Sequence, residues 1–263
     1  MSPVATASWR SDIGPLAFRV FASPGPAESA GPEESRRAPF VLIHGIGMSH
    51  RYFEGLHELL SAEAPVFSID LPGFGGLPKP GEDVDIGLMA AALGEVVASL
   101  KIGPAVLVGQ SMGCQWVVEL AAQRPDLVAH VVTIGPVVDA DHRTFFAQAA
   151  ALAIDSLGEP PAANALVLTD YVRCGIPWYL TQLRHMLAYR IEDRIAELTA
   201  PVLIMRGGRD PIAGQDWCRR LRDRARDARL VMIPGHHHNA QQSAPRAVAS
   251  AILAHVHEGA LRS

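Results

Sequence analysis

The sequence predicts an α/β fold, a mostly parallel central sheet flanked by helices. Three observations predict it. Short runs that are apolar at every position, such as Phe40-Val41-Leu42-Ile43 and Ala105-Val106-Leu107-Val108, mark strands buried on both faces. Between them lie stretches whose apolar residues recur at helical spacing. The two kinds of segment alternate along the chain, as βαβ crossovers require.

The first strand spans Leu16 to Phe21. Ser23 to Pro39 is rich in Pro, Gly, Glu and Ser and is expected to form an exposed hairpin loop. The strand Phe40 to Ile43 follows, then a helix over Tyr52 to Ala62. A strand over Pro65 to Asp70 ends in the turn-rich Leu71-Pro72-Gly73-Phe74-Gly75-Gly76. From Asp85 to Lys101, Ile86, Met89, Leu93, Val96, Val97 and Leu100 fall on one helical face. The strand Ala105 to Val108 leads into Gly109-Gln110-Ser111-Met112-Gly113 and a helix that ends near Gln123-Arg124-Pro125. Val131 to Ile134, Pro201 to Met205 and Arg229 to Ile233 are further strands. Gln215 to Arg226 is a polar-faced helix, and Ala244 to His257 is the last one. Asp139 to Leu198 carries no strand signal, only helix-like stretches broken by Gly158-Glu159-Pro160-Pro161 and Gly175-Ile176-Pro177. Lying between two core strands, it reads as a helical lid. The expected organisation is a core of residues 1–138 and 199–263 with a lid over 139–198.

Composition narrows the function. The chain has 263 residues, 49% hydrophobic and 19% charged, enough for one large core and too apolar for disorder. A net charge of -4 with no basic block argues against a nucleic-acid partner. Three widely spaced cysteines, Cys114, Cys174 and Cys218, do not make a disulfide framework, and a cytoplasmic location is expected. Met1 to Arg19 includes Trp9, Arg10 and Asp12 and lacks the apolar core of a secretory signal. Gly, Pro or charge interrupts every apolar stretch well short of ~20 residues, so no membrane span is expected.

The pattern strand, G-x-S-x-G, helix is the nucleophile elbow of a serine hydrolase. A strained turn lifts the Ser111 hydroxyl clear of the sheet, and the flanking glycines let strand and helix approach. Without its context Ser111 is an ordinary serine in a glycine-rich turn. A serine hydroxyl needs a base to take its proton, and candidates lie downstream in His236-His237-His238. Asp210, before Pro211, is the candidate acid that orients the base; a helix-capping role is the plainer alternative, and Asp139 is the other candidate acid. Adjacent loop histidines do not aim three rings at one ion, and no Cys or carboxylate neighbour completes a set, so no metal is expected.

The motifs together resemble the α/β-hydrolase fold superfamily. They are His44-Gly45-Ile46-Gly47, Asp70-Leu71-Pro72-Gly73-Phe74-Gly75, Gly109-Gln110-Ser111-Met112-Gly113, Gly207-Gly208-Arg209-Asp210 and Pro234-Gly235-His236-His237-His238. The resemblance covers nearly the whole chain and implies a lid inserted after the sixth core strand. It implies the order nucleophile Ser111, acid Asp210, base His238, the histidine being selected by its place four residues after Pro234. It implies an oxyanion hole from the backbone N–H groups of Ile46 and Met112, a structural role for His44, and no cofactor. Gln110 stands where many relatives carry His, Cys114 where Gly is common, and Leu77 where Ser or Arg is frequent; Cys114 reads as a small buried hydrophobe. Substrate-pocket candidates are Met48, Phe145, Phe146, Trp178, Tyr179 and His237, while Trp116 either lines the pocket or packs under the elbow. Serine at the elbow disfavours the dehalogenase and epoxide-hydrolase activities of this fold, which use Asp. The implied activity is hydrolysis of a small to medium carboxylic ester or lactone, a small-molecule substrate. C–C bond hydrolysis of ring-fission products, aminopeptidase or cofactor-free perhydrolase activity, and a non-catalytic receptor or scaffold are the alternatives.

Overall fold

The apolar runs become strands because each side of the sheet meets its own hydrophobic layer. In the computed structural model, which describes residues 7–26, 37–139 and 169–260, alternate residues of one strand enter different cores. Val41 and Ile43 join one cluster while Phe40 and Leu42 join the other. Leu107 is separated in the same way from Val106 and Val108, and Ile204 from Leu203 and Met205. A buried side chain of this size contributes roughly 1.5–3 kcal/mol, which holds the apolar runs of these strands in the sheet; the buried polar residues Gln110 and Arg206 sit at the carboxyl ends of β5 and β7.

Eight strands form one sheet: β1 (Ala7–Ile13), β2 (Leu16–Ser23), β3 (Phe40–Ile43), β4 (Val66–Asp70), β5 (Ala105–Gln110), β6 (Val128–Ile134), β7 (Val202–Gly207) and β8 (Ala228–Ile233), in the order β1-β2-β4-β3-β5-β6-β7-β8. The pairs β1/β2 and β2/β4 are antiparallel and the others parallel. One face is covered by α2 (Ile86–Ser99), α3 (Gly113–Gln123) and α5 (Gln215–Arg224) through Met89, Leu93, Trp116, Leu120, Trp217 and Leu221. The other is covered by α1 (Glu54–Ser61) and α6 (Pro245–Ala260) through Leu56, Leu60, Val248 and Ile252. Asp85 caps α2, accepting from the Leu88 amide at 2.8 Å, which satisfies one of the helix's orphan donors.

Two expectations are corrected. The chain makes an edge strand over Ala7–Ile13 that the sequence reading did not include. It is mostly exposed, with Trp9 at 41%, so it carries no apolar run to betray it. The connection from β2 to β3 is not a hairpin either, because β4 lies between those strands; residues 27–36 of that loop lie outside the described ones. The insertion between β6 and β7 is helical where it is described: residues 169–174, α4 (Ile176–Ala188) and a turn at Ile191–Arg194. Tyr189 and Arg194 anchor its end by donating to Glu119 of α3, at 2.7 Å and 2.8 Å. Among the described residues no helix is long and apolar enough to cross a membrane.

Several histidines are built into the body of the fold as neutral side chains. His57 bridges the Ser68 and Ser23 hydroxyls at 2.7 and 2.9 Å, and burial lowers it to about 4. His255 of α6 faces His130 of β6 at 3.4 Å; burial first, then His130 and Arg229, lower it to about 4. Folded values below the unfolded value mean that the unfolded chain binds more protons between about pH 6.5 and 4. Stability is therefore complete above pH 6.5 and is lost as pH falls, by up to about 1.4 kcal/mol per pH unit per histidine. Chemical denaturation at pH 7 and pH 5 checks this. His255→Asn should flatten the dependence, and an unchanged slope in that variant would reject the assignment.

Candidate active site

The motifs lie at or just beyond the carboxyl ends of the parallel strands, where ligands of open α/β sheets bind. Strand β5 ends at Gln110 and α3 starts at Gly113, so the chain reverses within two residues. Ser111 takes the strain with φ +55°, a left-handed conformation that costs an L-residue about 1–2 kcal/mol. The reversal works only because Gly113 lies against the carbonyls of Ile43 and His44, where a Cβ would overlap them. The Ser111 amide donates to the Ile134 carbonyl at 2.9 Å, binding the elbow to the end of β6.

The next residue along β6, Gly135, is where the distant partners arrive. A Cβ on Gly135 would lie 2.8 Å from the His238 ring and 3.3 Å from Asp210 Oδ2. His238 Nδ1 and Asp210 Oδ2 are 2.9 Å apart, and both residues are buried. The other carboxylate oxygen, Oδ1, accepts from the amides of Ile212 and Ala213 at 2.8 and 2.9 Å. Oδ1 thus holds the bend at 211–213 rather than capping a helix, the N-cap of α5 being Gly214, while Oδ2 faces the histidine. Burial alone would raise the Asp210 carboxyl, but the facing His238 and these donated bonds outweigh it and hold the group below its ordinary value. Asp139 pairs instead with Arg220 at 2.6 Å. Of the three histidines, His236 bonds the Ser243 hydroxyl at 2.9 Å, and His237, half-buried, lays its carbonyl against Gly207.

Across the elbow, Gly45 packs on Ser111: a Cβ there would sit 2.9 Å from the serine Cβ. This places the 44–48 turn, which carries Ile46, beside the elbow. Among the described residues, the backbone amides of Ile46 and Met112 donate to no backbone carbonyl. His44 holds the turn. Its Nε2 accepts from the Leu71 amide at 3.1 Å, which leaves Nδ1 to donate to the Gly45 carbonyl at 2.8 Å. Asp70 accepts from the His50 amide at 2.6 Å. Cys114 is buried, with its sulfur 3.2 Å from the Gly109 carbonyl and its thiol raised well above normal by burial. Trp116 packs edge-on against His44 and Phe74 beneath the elbow.

The pocket candidates divide. Met48 is buried but belongs to neither core cluster. Trp178 packs on Phe74 and closes over Gly73. Tyr179 is half-buried against Tyr171, ring centroids 5.2 Å apart. Phe145 and Phe146 lie outside the described residues. The sequence reading missed Asn239, whose side chain accepts from Gln110 at 3.3 Å behind the elbow. It also missed Tyr171 and Asp170, which no motif marks.

A profile of the alpha/beta hydrolase family matches residues 40–251, a span running from β3 into α6. The chain belongs to the alpha/beta hydrolase family. It is 30% identical over 219 residues to a pimeloyl-[acyl-carrier protein] methyl ester esterase of Neisseria meningitidis serogroup A, covering 73% of this chain and 68% of that protein. It is 24% identical over 240 residues to an (E)-2-((N-methylformamido)methylene)succinate hydrolase of Acinetobacter baylyi, covering 84% of this chain and 91% of that one. The enol-lactonase of Burkholderia xenovorans superposes with a TM-score of 0.78 at 19% identity, covering 94% of this chain and 99% of that one. This family member is a hydrolase.

Proposed function

We propose that this hydrolase cleaves a small to medium carboxylic ester or lactone through an acyl-enzyme on Ser111. The observation that carries the reading is the meeting at Gly135: a serine held at φ +55° is bonded through its amide to the preceding residue, and the His238–Asp210 pair packs on the glycine itself. In this reading Ser111 Oγ attacks the carbonyl carbon while His238 Nε2 takes its proton. Asp210, its carboxylate held ionised, keeps the other ring proton on Nδ1 and stabilises the imidazolium. The amides of Ile46 and Met112 receive the oxyanion, and such a donor is typically worth about 3 kcal/mol of barrier. The positive end of α3, which begins at Gly113, favours the same charge. The alcohol leaves with the proton from His238, and water repeats the sequence to release the acid.

The ester bond is supported by the methyl ester esterase relative. An apolar pocket wall, with Met48, Trp178 and Tyr179 as its candidates, fits an apolar acyl or alcohol group. The helical insertion is the lid of this reading. Cys114, Cys174 and Cys218 are free thiols, which fits a reducing cytoplasm. Neither nucleic acid nor a membrane is a partner in it.

An alkyl fluorophosphonate tests the assignment directly. Ser111 should displace fluoride and appear as the labelled residue in peptide mass spectrometry, and p-nitrophenyl butyrate should protect it. Labelling elsewhere, or none, rejects the reading.

A further inference from the structure

Asp170 is a buried carboxylate that the chemistry above does not use. It lies on the 169–174 helical segment of the insertion and is 2% exposed. Ser49 Oγ donates to its Oδ2 at 2.6 Å. Arg51 and Arg173 stand farther off, at 3.4 and 3.5 Å from Oδ1. Ser49 directly follows the 44–48 turn that carries Ile46.

The neighbouring residue grips the same turn. The ring of Tyr171 lies against Gly47 with its Cδ1 and Cε1 atoms nearest, where a Cβ would overlap it. Tyr171 is hydrogen-bonded to Tyr179 of α4, and burial pushes its hydroxyl well above normal, so it stays a neutral donor. The turn is fixed from beneath by His44 on Leu71 and by the His50 amide on Asp70. From above, residues 170 and 171 hold it, with Tyr179 in ordinary contact with Gly47 behind them. The other ties of the insertion reach elsewhere: Gln182 to the Val84 carbonyl, Tyr189 and Arg194 to Glu119.

We propose that Asp170 is a positioning residue that couples the insertion to the oxyanion turn through Ser49. This rests on the reading of Ile46 as an oxyanion donor. With the Ser49–Asp170 bond made, the turn has one position and the Ile46 amide one direction. A buried charge is a costly way merely to glue two segments together. A short charge-assisted bond, however, is far more demanding of geometry than apolar packing.

Ser49→Ala, Asp170→Asn and the double variant of the whole chain test this with p-nitrophenyl butyrate and an alkyl boronic acid, which forms a tetrahedral adduct on serine. Each single variant should lower kcat about tenfold, part of what loss of an oxyanion donor costs. KM should stay within about twofold, since a transition-state contact alone is lost. Boronate inhibition should weaken by the same factor as kcat, and the double variant should be no worse than the worse single one. Wild-type kcat and wild-type boronate inhibition in Ser49→Ala, or a loss confined to KM or to thermal stability, overturns the coupling. If Asp170→Asn does not fold, Ser49→Ala decides alone. Failure of the underlying reading looks different: the wild type itself would then neither hydrolyse the ester nor take fluorophosphonate at Ser111.

Discussion

Ser111→Ala is expected to lower kcat/KM for p-nitrophenyl butyrate by at least about 10⁴-fold, because in the proposed mechanism Ser111 Oγ is the attacking atom. The oxyanion amides and binding contacts survive the change, so a small residual rate over water is expected. The effect is chemical rather than structural, and a second variant separates the two. Ser111 holds a left-handed backbone at φ +55° that the elbow imposes. Glycine adopts that conformation without strain, although it loses more entropy on folding. Ser111→Gly should therefore be equally inactive yet as stable as the wild type, or more stable by up to about 1 kcal/mol. Thermal melts beside the ester assay check both halves. Activity within tenfold of wild type in either variant would remove Ser111 from the mechanism.

Asp210→Asn should cost about 10⁴-fold in kcat at neutral pH with the fold intact. The reason lies in which oxygen does what. The amides of Ile212 and Ala213 donate to Oδ1, so an asparagine must keep its carbonyl oxygen there. Its NH₂ group then faces His238, in place of the oxygen now 2.9 Å from Nδ1. A donor at that point forces the ring proton onto Nε2, the nitrogen that has to accept from Ser111. The variant keeps its hydrogen bonds and loses the working tautomer. Near-normal kcat in a folded Asp210→Asn would show that the carboxylate serves only to hold the bend after it.

Most of the architecture is legible in the chain because burial on both faces leaves a local trace. Every residue of Phe40–Ile43 or Val202–Gly207 is buried, so the apolar run itself announces a strand. Ala7–Ile13 shows the limit of that signal. As an exposed edge strand it is defined by its pairing with β2, and pairing partners are not encoded in local hydrophobicity. The β2–β3 connection was misread for the same reason: strand order is a long-range property, and β4 enters between two consecutive strands.

The sequence by itself determined the elbow. The glycine spacing around Ser111 dictates a reversal that no other residues could make, since Gly113 meets backbone carbonyls where any side chain would collide. It also determined the two-sided sheet, through runs that are apolar at nearly every position. The family spacing singled out His238 among three successive histidines, but only the tertiary structure decided that the two oxygens of Asp210 have separate partners and that Asp170 of the insertion reaches Ser49. The physical reason is range. Steric and hydrophobic constraints act between near neighbours and mark the sequence where they act, whereas a hydrogen bond between residues 121 positions apart, with no motif on either side, leaves no mark until folding brings them within 3 Å.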